Sequence, residues 1–309
     1  MIFHLTGGGF FAHTIAGDVP YLLDWSAVSD AIVICPEYAL LPEHTFPVAI
    51  DEIVNVYTSL VNGEAAPLLG FQTEKIIVTG ESTGGNLATS LCVKLCIDGF
   101  VDVEQLTIQK RMNAQKKRGG DLSPSSSLDQ SSGSSSEDEM DVTHESLPHM
   151  PSIHLPDALL LSCPALNLSL ELSPSRVIGG HDPVLPSSLL STISDAYIPE
   201  YLGVSKMDPI VSPYFAPDEF LRIFPPTLVY ASSEDPLLDD SVHFNARLRR
   251  LGVDSDLRAT QNMPHAYWGL GIAGFPSARQ VQRECQDWMI KQFARGRVTR
   301  MERNRSNIK

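Results

Sequence analysis

Two patterns of apolar and polar residues alternate along the chain. The first is a short, nearly unbroken apolar run, the mark of a strand buried on both faces. It occurs at 31–35 (Ala-Ile-Val-Ile-Cys), 75–78, 157–162 and 226–231, with a more polar version at 255–259. The second is an apolar stripe at helical spacing, found at 46–62, 85–97, 186–196, 241–251 and 277–293. Strands separated by helices need right-handed crossovers. The alternation therefore predicts an α/β fold, with a mostly parallel sheet and helices on both faces.

One stretch abandons both periods. Between 110 and 151 the sequence opens basic (Lys110, Arg111, Lys116, Lys117, Arg118), turns serine-rich from Ser123 to Ser136, and ends acidic (Glu137, Asp138, Glu139, Asp141). Such a composition buries too little apolar surface to offset the entropy of ordering it, so a disordered insertion is expected. It falls between a predicted helix and a predicted strand, where a long surface loop is tolerated. An inert linker is the simplest reading. The alternative is regulation by a kinase: Ser134, Ser135 and Ser136 precede acidic residues, and Ser123 precedes Pro124, which makes these four serines candidate phosphosites. The tail at 295–309 is basic and has no apolar stripe, so it reads as solvated, with a weak contact to anionic lipid as the alternative. The whole of 1–309 is thus expected to be a single domain carrying one insertion and a basic tail.

Composition narrows the function. Of 309 residues, 43% are hydrophobic, enough for a sizeable core. The formal net charge of −14 argues against a nucleic-acid partner, whose binder would be basic. The five cysteines (Cys35, Cys92, Cys96, Cys163, Cys285) lie in apolar stretches without metal-ligand spacing, so buried reduced thiols are expected and no metal or organic cofactor is implied. An odd number of them fits a reducing compartment. The first residues lack a basic region before an apolar stretch, and no apolar run reaches about 18 residues. The sequons at Asn167 and Asn304 then carry little weight, and a cytoplasmic location is expected.

Candidate chemistry begins at Gly80-Glu81-Ser82-Thr83-Gly84, set between an apolar strand and a helix. A strand-to-helix turn this sharp needs small residues two positions to either side of the serine, whose hydroxyl then stands above the sheet. An idle turn would also fit the five residues alone. A serine needs a base, and the base needs an orienting acid, in the chain order Ser, acid, His for this arrangement. The strand at 226–231 runs into Ser232-Ser233-Glu234-Asp235-Pro236. Asp235 is the first candidate acid, with Glu234 and Asp239 as rivals. His265, in Met263-Pro264-His265, follows the last strand and is the candidate base; His181 follows the serine but precedes the acids. Gly7-Gly8-Gly9 offers backbone without side chains, suited to donate N–H groups to an oxyanion. Gly8, Gly9 and Thr83 are the expected donors.

Four stretches together resemble the hormone-sensitive-lipase group of α/β hydrolases: Gly7-Gly8-Gly9-Phe10, the segment Glu37 to Glu43 followed by Phe46-Pro47, Gly80 to Asn86, and Asp235-Pro236-Leu237 with His265. Ser173-Pro174-Ser175-Arg176 and Asp182-Pro183-Val184-Leu185-Pro186 look closer to the lipase than to the small bacterial esterases of the group. The resemblance implies an α/β-hydrolase fold and a serine carboxylesterase or lipase that cleaves acylglycerols or short acyl esters. Its implied partners are an apolar ester, a lipid-droplet or membrane surface, and a kinase acting on an insertion of the kind at 110–151. Two departures stand out. The histidine that usually precedes the glycine triplet and braces its loop is Thr6 here, with His4 two residues earlier. The chain also starts almost at the oxyanion loop, so the group's N-terminal strands and cap are expected to be missing. Two alternatives follow: a non-catalytic binder of the gibberellin-receptor kind, or a truncated, inactive pseudoenzyme.

Overall fold

The computed structural model describes residues 1–99 and 154–295. Met1–Cys96 and the chain from His154 onward form one compact unit; of the second, Ile97–Ile153, only the first three residues are described. The expected insertion at 110–151, with Ser123, Ser134, Ser135 and Ser136, lies outside the described residues, as does the tail beyond Arg295.

Six strands make one sheet: β1 (Ile2–Leu5), β2 (Val33–Ile34), β3 (Ile77–Glu81), β4 (Ala158–Ser162), β5 (Thr227–Ser232) and β6 (Ser255–Thr260). Their order is β2-β1-β3-β4-β5-β6, and every pairing is parallel. Between them run α1 (Ile15–Ser29), α2 (Val48–Val61), α3 (Ala66–Leu69), α4 (83–99), α5 (Pro174–Ile178), α6 (Ser187–Tyr197), α7 (Asp218–Leu221), α8 (Leu238–Arg250) and α9 (Pro276–Ala294). The expected parallel α/β architecture is the one observed.

Alternation along each strand divides the core between two faces. Ile2, Ile77, Leu160, Leu228 and Tyr230 join one cluster with Tyr21 and Trp25 of α1 and Val281, Cys285 and Met289 of α9. Phe3, pointing the other way, meets Tyr57 of α2 edge-on with ring centroids 6.1 Å apart. Strands β3, β4 and β5 are buried throughout, which is why their sequences read as unbroken apolar runs.

One expectation needs correction, and two elements, β1 and α1, were not foreseen. The run at 31–35 was expected to be a fully buried strand. Only Val33–Ile34 pairs, both half-buried at the sheet edge, and Ile32 is 49% exposed. The interior neighbour of β2 is β1, which the sequence pattern does not announce because His4 interrupts its apolar run. His4 is nevertheless wholly buried, with Nδ1 2.7 Å from Thr79 Oγ1 and Nε2 3.3 Å from Asp18 Oδ2. Finally, α1 forms despite Pro20 inside it. Packing outweighs propensity there: Trp25 Nε1 donates to Gln282 O of α9 at 2.9 Å, and Tyr21 and Trp25 both pack against Trp268.

Parallel pairing sends every strand's C-terminal end to the same edge of the sheet. The loops that follow β1, β3, β5 and β6 therefore converge there, which is where open α/β sheets place their sites.

Candidate functional site

The turn after β3 is as tight as the sequence suggests. Ser82 sits in the left-handed region at φ 56°, a strained conformation for a residue with a side chain. Its N–H donates to Ser162 O at 2.9 Å, and its carbonyl accepts from Asn86 N–H at 3.1 Å and Ala165 N–H at 3.0 Å. The flanking glycines are needed for close approach. A Cβ on Gly80 would stand 2.3 Å from Gly84 O, and one on Gly84 would stand 2.0 Å from Leu5 O. No side chain of any size fits either position.

Three residues from three loops meet above this turn. His265 Nε2 lies 2.8 Å from Ser82 Oγ, and His265 Nδ1 lies 3.0 Å from Asp235 Oδ2. All three side chains are buried. The second oxygen of Asp235, Oδ1, accepts from Leu237 N–H at 2.9 Å, which fixes the carboxylate plane. The rival acids are elsewhere: Glu234 is exposed and accepts from Ser233 Oγ, and Asp239 Oδ2 accepts from Ser175 N–H. His181 is exposed.

Two further buried carboxylates hold the histidine loop, and sequence reasoning assigned neither. Asp182 Oδ2 accepts the backbone N–H of His265 at 2.8 Å, while its Oδ1 accepts from Val184 and Leu185 N–H, each at 2.8 Å. Glu81 Oε1 accepts from Trp268 N–H at 3.3 Å and from Ser162 Oγ at 3.1 Å. Burial works against a charged His265. The charge and hydrogen bond of Asp235, then the charges of Glu81 and Asp182, outweigh it and hold the imidazole above its ordinary 6.5. Glu81 shows the opposite balance. Burial and the charge of Asp18 push its carboxyl from 4.5 to about 8, against the opposing pull of His265 and its two hydrogen bonds.

Cys163 also lies here, its Sγ within 4.8 Å of ligand atoms on Asp235 and His265. Burial, followed by the charges of Asp235 and Glu81, pushes this thiol well above 9. Cys92, Cys96 and Cys285 are buried and in no disulfide, as expected; Cys35 is only half-buried.

The glycine loop faces the turn from β1. Gly8, at φ 115°, carries a carbonyl that accepts from Phe11 and Ala12 N–H at 3.2 and 3.1 Å, closing a tight turn. Gly9 N–H donates to Thr83 Oγ1 at 3.1 Å, linking the two loops expected to hold an oxyanion. Gly9 and Thr83 are thus joined next to Ser82, with the Gly9 N–H taken by Thr83 Oγ1, and a Cβ placed on Gly7 of the same loop would stand 3.4 Å from the Ser82 Cβ. The loop is anchored outward as well: Phe10 stacks on Tyr197 of α6 at 3.7 Å, and Leu41 N–H donates to Phe10 O at 2.8 Å.

A serine on a strand-to-helix elbow, an imidazole and a carboxylate from successive later loops, and a glycine loop from the neighbouring strand meet at one edge of a parallel α/β sheet, as they do in α/β hydrolases. The chain belongs to the α/β-hydrolase-fold family, whose model matches residues 2–269. It is 27% identical over 281 residues to an esterase of Acinetobacter venetianus, covering 91% of this chain and 71% of that protein. It is 24% identical over 385 residues to the hormone-sensitive lipase of Bos taurus, covering 87% of this chain and 51% of the lipase, so it spans about half of that relative's length. Among solved structures, carboxyl esterase 2 of the fungus Tuber melanosporum superposes with a TM-score of 0.68 at 20% identity, over 94% of this chain and 78% of that one, which bears on the fold alone. The likeness to the hormone-sensitive-lipase group expected from the motifs is present.

Proposed function

We propose that the chain is a serine carboxylic-ester hydrolase. The observation that carries this reading is the continuous hydrogen-bond line from Asp235 through His265 to Ser82 Oγ, at 3.0 and 2.8 Å. His265 Nδ1–H donates to Asp235, leaving Nε2 to accept the serine proton. Ser82 Oγ attacks the acyl carbonyl while His265 takes that proton. The N–H groups of Gly8 and Thr83 receive the oxyanion, and that of Gly9 joins them by leaving Thr83 Oγ1. His265 then protonates the departing alcohol, and water hydrolyses the acyl-enzyme with His265 again as base. Asp235 keeps the imidazolium oriented throughout.

An apolar acyl group fits the surroundings. A Cβ placed on Gly9 would touch Phe11 at 2.6 Å and Ile193 at 2.9 Å, so both side chains border the oxyanion loop, and Phe11 is 49% exposed. Acylglycerols or short acyl esters are the proposed substrates, in line with relatives that carry the names esterase and hormone-sensitive lipase. A cytoplasmic enzyme working at a lipid surface, regulated by phosphorylation at Ser123, Ser134, Ser135 or Ser136, belongs to the same proposal.

Hydrolysis of p-nitrophenyl esters of increasing acyl length, by the parent and by Ser82→Ala, tests the reading. Cleavage by the parent and not the variant supports it. A folded parent that neither cleaves esters nor takes a fluorophosphonate label at Ser82 overturns it in favour of a binder.

A further inference from the structure

Thr6, His13 and Tyr38 form a closed ring of hydrogen bonds behind the glycine loop. Tyr38 O–H donates to Thr6 O at 2.6 Å. His13 Nε2 lies 3.1 Å from Tyr38 O, and His13 Nδ1 lies 3.1 Å from Thr6 Oγ1. With the imidazole neutral, each bond has one direction. A carbonyl only accepts, so Nε2 carries the imidazole hydrogen; Nδ1 of the neutral ring then accepts, and Thr6 O–H donates to it. Each residue thus donates once and accepts once. The imidazole also stands edge-on to the Tyr38 ring, with centroids 4.7 Å apart.

Thr6 and Tyr38 are buried at 2% and 3% exposure, and His13 is half-buried at the mouth of the ring. Thr6 immediately precedes Gly7-Gly8-Gly9, so its peptide plane sets the direction in which the following N–H groups leave β1. Tyr38 belongs to the segment that reaches the same loop again through Leu41 N–H and Phe10 O. Without His13 the Thr6 hydroxyl and the Tyr38 carbonyl lose their shared partner, and a single bond joins the two strands of the ring.

We propose that His13 is a positioning residue for the oxyanion loop, acting through Thr6 and Tyr38 rather than on substrate. This rests on the ester-hydrolase reading for its kinetic consequence only. His13→Ala is expected to lower kcat for p-nitrophenyl acetate on the order of tenfold, with KM within about twofold of the parent, because misplaced donors weaken the transition state and not the ground state. Affinity for a trifluoromethyl ketone, which forms an oxyanion on Ser82, falls by the same factor. His13→Gln, whose amide can accept from Thr6 and donate to Tyr38, restores most of the loss. Thr6→Val combined with His13→Ala loses no more than the greater single loss, since both remove one linkage.

Hydrogen exchange at the Gly7–Phe10 amides gives a reading that needs no turnover. Exchange there is expected to quicken in His13→Ala and not in His13→Gln. An inactive parent would defeat the hydrolase reading and leave this measurement to decide the ring. Unchanged exchange and unchanged kcat in His13→Ala, losses that multiply in the double variant, or a His13 found by nitrogen NMR to carry its hydrogen on Nδ1 would each overturn the proposal.

Discussion

The two sides of the site are built from different materials. The side proposed to receive negative charge is neutral: backbone N–H groups on the glycine loop, tied by the Thr6–His13–Tyr38 ring and by Gly9 to Thr83. The side proposed to handle the proton carries buried carboxylates, Asp235 on the imidazole and Asp182 on its backbone, with Glu81, which holds its own proton up to about 8, on the backbone three residues later. The difference follows from what each side must do. An oxyanion is held by fixed dipoles that need no counter-charge. An imidazolium in a buried site needs compensating charge, or its pKa falls out of range.

The comparison breaks hardest at its centre. Ser82→Ala is expected to cut kcat for p-nitrophenyl esters by about 10⁴-fold or more, with the far-UV circular dichroism unchanged. Asp235→Asn keeps the shape of the acid but not its charge, and should lower kcat by about 10³- to 10⁴-fold. A loss of tenfold or less would mean that Asp182 can take over the role.

A smaller effect sharpens the role of that second carboxylate. The base must be neutral, so kcat/KM rises with pH as His265 loses its proton, and the raised pKa puts this rise above the ordinary 6.5. Removing the Asp182 charge lowers the His265 pKa. Asp182→Asn, which removes the charge and keeps one of the two accepting oxygens, should move the rise to lower pH; an unmoved pH profile would reduce Asp182 to a packing role.

The smallest effect concerns stability. Glu81 is raised from 4.5 to about 8, so the folded protein keeps a proton that the unfolded chain releases. Stability from this group is therefore lost as pH climbs from about 4.5 and levels off above about 8, a total on the order of a few kcal/mol. Glu81→Gln removes the dependence. Its Tm should fall less than the parent's between pH 5 and 8, while parallel curves would show that the carboxyl ionises freely.

The neutral side was the harder to read from sequence. Ser82, Asp235 and His265 stand out because each follows a strand visible in the sequence pattern and their order matches the fold, and the glycine triplet marks its own loop. His13 carries no such mark. It lies seven residues beyond Thr6, and only the return of the 38–41 segment gives it a carbonyl to meet. Asp182 sits before a proline, as Asp235 does, yet no local pattern says that its carboxylate reaches a backbone 83 residues away. Strand β1 hid behind His4, whose partners Asp18 and Thr79 come from elements that sequence spacing does not join.

The parallel sheet has a temporal consequence. Ser82 and its base are separated by 183 positions. During synthesis the elbow serine emerges with no imidazole to take its proton, and the acid arrives before the base. On the proposed mechanism the chain would turn over no ester until β6 has docked at the far edge and His265 has reached Ser82. Ester cleavage, once measured, would then report completion of the whole domain, and the appearance of turnover during refolding would time the docking of β6.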